Sequence, residues 1–348
     1  MIAGARIVGR AELGQAAWDA SVGAETGIAH RFALQEARGL DESWEELGFA
    51  VVGSNGRALA LMPLLARPLR VLGVARRCVL QSPGGPALMA GLGERERQAV
   101  HRLIVDELGF IAAERGALWA EAETMAAGAV NPLAPYGYVP EDGLWHEIEL
   151  GDEIEAAFAA EGRAALRKSE HGGLVAAKAE DGEGEALAAL WRENALPFER
   201  AAPPRRFAEQ WLLASAGDRV ETWLVREGAQ PLAAAVLALE SDRAWLWLWL
   251  ASVAGRGRGA EALVLAAALR SARAQGIRRC VLGPGHAGQP RGAEGARDRL
   301  RRDFGGQLAT AHRGRLWFAP RMAALSRLGR TLAQGRWPAD PPRGFAPW

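Results

Sequence analysis

Cysteine and lysine are nearly missing from this chain. Of 348 residues only Cys78 and Cys280 are cysteines, far apart and in no CxxC pair, so neither a zinc framework nor a disulfide scaffold is encoded. Each lies in an apolar strand-like run, "RRCVLQ" and "RRCVLG", which marks both as reduced, structural residues suited to a reducing cytoplasm. Lysine is confined to Lys168 and Lys178; the preference for arginine carries little functional weight by itself. No apolar run reaches the roughly 20 residues of a membrane span. The opening "MIAGARIVGRAELGQ" carries charge every few residues, unlike a signal peptide. No HExxH, no metal-ligand cluster and no serine, histidine and acid set at recognisable spacing is present, so covalent and metal catalysis have little support. Long heptads are missing too, and the first biased tract is the proline-rich "RWPADPPRGFAPW" at the end.

What is present is apolar mass. A hydrophobic content of 49% over this length supports large cores and, as a first expectation, two domains. The formal net charge of +1 hides an asymmetry. From Arg256 to the end, eighteen arginines face five acidic residues (Glu261, Glu294, Asp298, Asp303, Asp340), a local excess of thirteen positive charges. A basic face of this kind attracts phosphate, whether on RNA, a nucleotide or coenzyme A.

The first half predicts helices near 11–20 and 29–38, a strand "GFAVVG", a turn at Asn55-Gly56, one strand "RALALMPLL", a strand "RRCVLQ", a long helix "ERERQAVHRLIVDELGFIAAERG" and a strand "ALWAEAE". Asn-Gly between apolar runs is a strong hairpin signal because both residues tolerate positive φ. The second half repeats the order: "RVETWLVR", a turn at "EGAQ", "PLAAAVLALE", "AWLWLWLA", a helix over 259–275, then "RRCVLG". Each half is thus an antiparallel meander followed by a helix and a returning parallel strand. Between them, "VNPLAPYGYVPEDG" marks a boundary loop and "DEIEAAFAAEGRAALRKSEHGG" an amphipathic helix that leads into the second half. The expected domains are 1–150 and 151–320, with 321–348 packing back on the first. Met322, Leu325, Leu328 and Leu332 would share one face of a helix there.

The second half turns on "WLWLWLASVAGRGRGAEALVLAAALRSARAQG". Period-two alternation puts Trp245, Trp247 and Trp249 on one face of a strand, either as ordinary core or as an aromatic wall beside an acceptor groove. A strand running through a glycine-rich turn into a helix leaves free backbone N–H groups and a positive dipole end at one spot, a seat for phosphate. Arg256, Gly257, Arg258 and Gly259 form that elbow, unless the glycines merely turn the chain. The stretch resembles the pyrophosphate loop of the GNAT acyltransferase fold, except that Glu261 stands where that loop has a small residue; a carboxylate there suits the helix but repels pyrophosphate.

A wider resemblance spans nearly the whole chain. In order, "ALALMPLL", "SPGGPAL", "LWAEAE", "NPLAPYGYVPEDGLWHEIEL", "GRAALRKSEHGGLVAAKA" and "GARDRLRRDFGGQL" are similar to the layout of the FemABX-like tandem GNAT acyltransferases. The resemblance implies two tandem GNAT-like units (acyl-CoA N-acyltransferase fold), each a mostly antiparallel twisted α/β sheet flanked by helices. It also implies family motifs at Ser82, Pro83, Gly84 and Gly85; at Tyr136 and Gly137; at Arg163, Arg167 and Lys168; and at Arg301, Phe304 and Gly305. It places Arg163, Arg167, Lys168, Trp249 and Arg301 around the cleft between the two units. The family joins an acyl group, often an amino acid delivered by its tRNA, to an amine of a small molecule or cell-envelope precursor, while some relatives use acyl-CoA. No tightly bound cofactor is implied. Arg301 replaces a common lysine, so that position binds phosphate or stabilises an oxyanion and cannot be a base.

Aminolysis of an ester or thioester needs a deprotonated amine and a donor for the tetrahedral oxyanion. The candidate bases are His286, in the loop after the last strand, with His171, Glu199 and Asp142 behind it; each is otherwise an ordinary surface residue. Arg163, Arg167 and Lys168, at i, i+4 and i+5 of a helix, read either as a phosphate clamp or as a solvated face. Three functions remain open from sequence. They are an aminoacyl-tRNA-dependent or acyl-CoA-dependent transferase, a non-catalytic GNAT-like ligand-binding protein, and an RNA-binding module built on the basic C-terminal region, where Phe304, Trp317 and Phe318 are few aromatics for that role.

Overall fold

The computed structural model describes residues 4–22, 27–39, 44–71, 75–124, 130–180, 183–195, 219–240, 242–286 and 292–319. Glu199, the Asp142 side chain and the helix expected beyond residue 320 lie outside them. The chain divides into two compact units: one of residues up to Asp142 together with the segment from Ala311, the other Gly143–Thr310. It passes from the first to the second within β9 (Val139–Glu149) and returns within β15 (Gln307–Trp317).

In the first unit, β1 (Arg6–Gly9), β3 (Phe49–Val52), β4 (Ala58–Met62) and β7 (Ala87–Leu88) form a small sheet in the order β1-β3-β4-β7. A second run of strands follows the order β15-β8-β6-β5-β2, with β2 (Glu45–Glu46), β5 (Leu65–Val71), β6 (Ala75–Pro83) and β8 (Ala117–Thr124). The Asn55-Gly56 hairpin forms as expected, with Gly56 at φ +77 and the Arg57 amide donating to Asn55 Oδ1 at 3.0 Å. Two expectations fail for local reasons. The helix over 11–20 is cut at Gly14, φ +78, into Arg10–Leu13 and Gln15–Ala20. The single strand "RALALMPLL" breaks at Pro63, which has no N–H for a ladder, so β4 and β5 enter different sheets. The helix Glu94–Arg115 buries Val100, Ile104, Leu108 and Ile111 along one stripe. Each such side chain contributes about 1.5–3 kcal/mol relative to exposure.

In the second unit the strand order is β10-β11-β12-β13-β14-β9, with β10 (Ala176–Lys178), β11 (Val220–Glu227), β12 (Gln230–Leu239), β13 (Arg243–Ala251) and β14 (Arg279–Gly285). The meander β11-β12-β13 is antiparallel, the helix Ala260–Ala274 follows, and β14 returns parallel to β13. The first unit repeats this: β5 and β6 are antiparallel, the helix Glu94–Arg115 follows, and β8 returns parallel to β6. The duplicated strand-helix-strand unit read from the sequence is therefore present. The linker helix is shorter than expected, Ala160–His171, after a 3-10 turn at Ile154–Ala157. Both cysteines are free and buried, and burial raises both thiol pKa values. The helix Ala260–Ala274, about half of it alanine, buries nine of its fifteen residues in the core of the unit.

Candidate active site

The two parallel strand pairs differ at the point where function concentrates. In the first unit β6 and β8, after a register shift between Cys78 and Leu80, stay paired to the end, through Ser82↔Ala122 and Pro83↔Glu123. In the second, β13 pairs with β14 only at Arg243↔Arg279, Ala244↔Cys280 and Trp245↔Val281, after which Leu246–Ala251 and Leu282–Gly285 separate. The splay leaves the inward edges of two strands available to a ligand.

A β-bulge sits beside the splay. Opposite β12 the register runs Leu237↔Leu246 and then Val236↔Leu248, so Trp247 is the extra residue. A bulge shifts the side-chain phase by one. Trp245 and Trp249 therefore lie on opposite faces of β13, contrary to the single aromatic face expected from alternation. Trp245 meets Trp145 edge-on at 5.4 Å between centroids. Trp249, half-buried, meets Phe304 at 5.2 Å, and Phe304 meets Phe158 at 5.0 Å. Trp247 is buried core. The Trp249 indole N–H donates to Glu261 O at 3.0 Å.

Arg301 ties the far strand. It lies on the closing helix Gly292–Asp303, and its Nε and Nη1 donate to Leu282 O at 3.0 Å and Pro284 O at 2.9 Å. The intervening Gly283 has φ +116, and a Cβ there would stand 3.0 Å from Arg301 Nη2. Burial, with neighbouring Arg297, lowers the guanidinium pKa to about 10, Asp298 opposing this; the group stays charged at neutral pH. The same helix end docks on the helix Ala160–His171: Ala159 N donates to Asp303 O at 2.8 Å, and Gly162 abuts that carbonyl. Arg301, Phe304, Trp249 and the start of the helix carrying Arg163, Arg167 and Lys168 are thus assembled in one unit. Arg163 donates to Phe158 O, whereas Arg167 and Lys168 are exposed and His171 Nδ1 bonds the Arg167 carbonyl.

His286 follows β14 and is one-third exposed; its Nδ1 lies 3.6 Å from Asp298 Oδ1. Asp298 is 1% exposed and is also met by His146 Nε2 at 2.8 Å and by Arg302. Burial works against its charge, but the bonds from His146 and Arg302 hold its carboxyl below the usual value. Neither His146 nor Asp298 was legible as a site residue: each lies in a stretch that carries the resemblance, but they stand 152 positions apart and nothing local marks either of them. Among the described residues no histidine, cysteine, aspartate or glutamate group is arranged to hold a metal ion.

The elbow differs from the open loop expected. Ser252 caps a short helix Val253–Gly257 by accepting from Gly255 N at 2.9 Å. The amides of Arg256, Arg258 and Gly259 donate to the carbonyls of Ser252, Gly255 and Arg256. These N–H groups are therefore spent within the chain. Arg256 Nη1 donates to Ala251 O at 2.7 Å, and Arg258 pairs with Glu227 at 2.6 Å. Gly257 is exposed, while Gly259, φ +73, is buried against the carbonyl of Ala165, which a Cβ would strike. Replacing Gly259 by alanine should cost about 2–4 kcal/mol, from positive φ plus a backbone clash. Urea unfolding of Gly259→Ala at unchanged m-value would measure it, and a loss within 0.5 kcal/mol would show that the helices separate easily. Burial raises the Glu261 carboxyl pKa, with Arg256 pulling it down.

The remaining motif residues are architectural in the first unit. Ser82 is fully buried and donates to Met62 Sδ at 3.7 Å, adjacent to Pro83 at the end of β6. Gly84 and Gly85 take positive φ beside His30, whose Nε2 lies 2.8 Å from Gly85 O. Tyr136 stacks edge-on with His101 at 4.6 Å, and Gly137 ends its turn in the left-handed region.

An antiparallel meander with a bulged last strand, a crossing helix and a parallel strand that splays away make up the GNAT fold. Residues 156–290, inside the second unit, match the family model described as "Acetyltransferase (GNAT) domain". The fold of the whole chain is similar to the crystal structure of FemX, with a TM-score of 0.66 at 11% identity, covering 92% of this chain and 99% of that one. It is also similar to L-PGS from Bacillus licheniformis, with a TM-score of 0.53, 14% identity and coverage of 89% and 98%. A tandem GNAT protein from the clavulanic acid biosynthesis pathway gives a TM-score of 0.50, 12% identity and coverage of 90% and 98%. No curated protein matches the sequence. No described helix is long and apolar enough to cross a membrane.

Proposed function

We propose that the protein transfers an aminoacyl group from aminoacyl-tRNA to an amine of a small molecule or cell-envelope precursor, forming an amide. The observation that carries the choice of donor is the closed elbow. A GNAT pyrophosphate seat relies on free amides at the strand-to-helix turn, whereas here those of Arg256, Arg258 and Gly259 are bonded internally and Gly259 is covered by Ala165. The exposed Arg167 and Lys168 on the covering helix suit a larger polyanion.

In the reaction the acceptor amine, relieved of its ammonium proton by His286, attacks the ester carbonyl carbon. The tetrahedral oxyanion develops beside Arg301, whose Nη2 is not spent on the Leu282 and Pro284 carbonyls. The C–O bond to the tRNA ribose then breaks, the ribose oxygen takes the proton that the attacking nitrogen sheds, and the amide remains. The ester is already reactive, so one base and one oxyanion donor are sufficient machinery. Trp249, packed on the fully buried Phe304, supplies an apolar wall that excludes water from the acyl group.

A second reading, acyl-CoA-dependent N-acylation, is favoured by the splay itself, because unpaired strand edges can take up an amide-rich extended arm. Incubating the protein with a charged tRNA pool and candidate amines at low and moderate salt, in parallel with acetyl-CoA, separates the two. Turnover that requires charged tRNA and weakens with salt is expected. Turnover with acetyl-CoA alone would reverse the order, and none with either donor would leave a ligand-binding role.

A further inference from the structure

The proposed reaction leaves Glu261 unused. It stands in the first turn of the helix Ala260–Ala274, where a phosphate-seating elbow has a small residue. A carboxylate in a first turn ordinarily caps the helix or finds a cation. Here it does neither: among the described residues no hydrogen bond or ion pair reaches the Glu261 carboxylate, while its backbone oxygen accepts from the Trp249 indole at 3.0 Å. The residue is half-buried. Burial raises its carboxyl pKa, and the charge that opposes this is Arg256. Arg256 Nη1 holds the carbonyl of Ala251, the last residue of β13, so the carboxyl group shares the splayed end of that strand with Trp249. A half-buried carboxylate without a partner is destabilising, and a small residue would avoid the penalty.

We infer that Glu261 receives the α-ammonium group of the donor's aminoacyl moiety and so selects donors whose amino group is unblocked. This assignment rests on the reading of the donor as aminoacyl-tRNA. In such an ester the ammonium is borne on the carbon next to the carbonyl carbon, so a site that holds the carbonyl oxygen must also face the ammonium. Arg301 offers Nη2 to the oxygen. Trp249 links the two ends: its ring meets Phe304, three residues after Arg301, and its N–H is fixed to the turn that bears Glu261. A cation at one end of this wall and a carboxylate at the other match the polarity of an aminoacyl ester. A plain acyl or N-blocked donor has nothing to set against the carboxylate and leaves it unpaired, which disfavours that donor. The acceptor's ammonium is the wrong occupant, because a carboxylate would hold on it the proton that attack requires it to lose.

The test needs no acceptor. The full chain is titrated at fixed salt with a charged tRNA pool and with the same pool after N-acetylation, which removes the α-ammonium and keeps the polyanion. The unblocked pool should bind about ten- to a hundred-fold more tightly. Glu261→Gln, which keeps the size and drops the charge, should weaken the unblocked pool by that factor and leave the N-acetylated pool unchanged. The ratio then falls close to one, a change that a merely structural role would not produce. Glu261→Ala should do the same, and it serves where glutamine disturbs the turn. A ratio near one in the unmodified protein overturns the inference without any variant. So does a ratio that survives either substitution in a protein shown by urea unfolding to be folded. A rise in KM for the acceptor amine, with the donor ratio untouched, would put the acceptor's ammonium at Glu261 and overturn the assignment as well. Failure of the donor reading looks different: neither pool then binds while acetyl-CoA is turned over, and the role of Glu261 falls with it.

Discussion

Arg301→Ala is expected to lower turnover by about 10²–10³-fold and stability by about 2–4 kcal/mol. Both effects come from one geometry. The guanidinium holds Leu282 O and Pro284 O, the two carbonyls that flank Gly283 on the splayed part of β14. Its loss leaves them without their charged donor in a part-buried place and frees the strand that carries His286. It also removes the cation beside the splay. Arg301→Lys distinguishes the two effects. An ammonium keeps the charge but cannot reach both carbonyls as a planar fork does, so it should recover turnover better than stability. Urea unfolding and single-turnover measurements on both variants give the answer. Alanine with full turnover would remove Arg301 from the chemistry and leave it a structural tie.

Arg301 also shows where the sequence was legible. A helix bearing "RLRRDFGG" announced a motif, and the family resemblance set Arg301 and Trp249 at a cleft between the units; both lie within the second unit, where Trp249 packs on Phe304. The repeated strand-helix-strand grammar was readable, being a matter of local period and turn chemistry. What escaped depended on register and on distant pairing. The bulge at Trp247 turns Trp245 and Trp249 to opposite faces, yet nothing in "AWLWLWLA" marks which residue is extra. The amides of "AGRGRG" are spent because Ser252 starts a helical turn and Ala165 covers Gly259, and a helix some ninety residues earlier in sequence cannot be seen from the elbow. His146 and Asp298 belong to the same class: each is unremarkable until β9 and the closing helix meet.

The second large effect is expected in the first unit, at Arg315. Across β8 and β15 three successive pairs share one face: Trp119 opposite Trp317, Glu121 opposite Arg315, and Glu123 opposite Arg313. Arg315 is 7% exposed. Its guanidinium carbon lies 5.2 Å from the Trp317 ring centroid and 5.7 Å from that of Trp119, and it reaches Glu121 Oε1 at 3.0 Å and Glu141 Oε1 at 3.5 Å. Glu121 also accepts from the Trp119 indole at 2.7 Å. Removing one member of such an enclosed pair abandons the other charge in a site it cannot leave, so Arg315→Met should cost about 3–5 kcal/mol at pH 7. Pairing it with Glu121→Leu should recover most of that loss, because only Glu141, whose side chain is partly exposed, is then left without this cation. The pH dependence follows from the sign of the shift. Burial already raises the Glu141 carboxyl pKa, and Arg315 is what pulls it down. Without that cation the Glu141 carboxyl should titrate still higher in the folded protein than in the unfolded chain. The folded state then binds more protons than the unfolded one, and stability falls as pH rises. The deficit of Arg315→Met should accordingly shrink as pH is lowered from 7 towards 5, as chemical denaturation of the two proteins side by side would show. A deficit that is small, or independent of pH, or unrelieved by Glu121→Leu, would mean that the ladder is held by its tryptophans and that the charges are incidental.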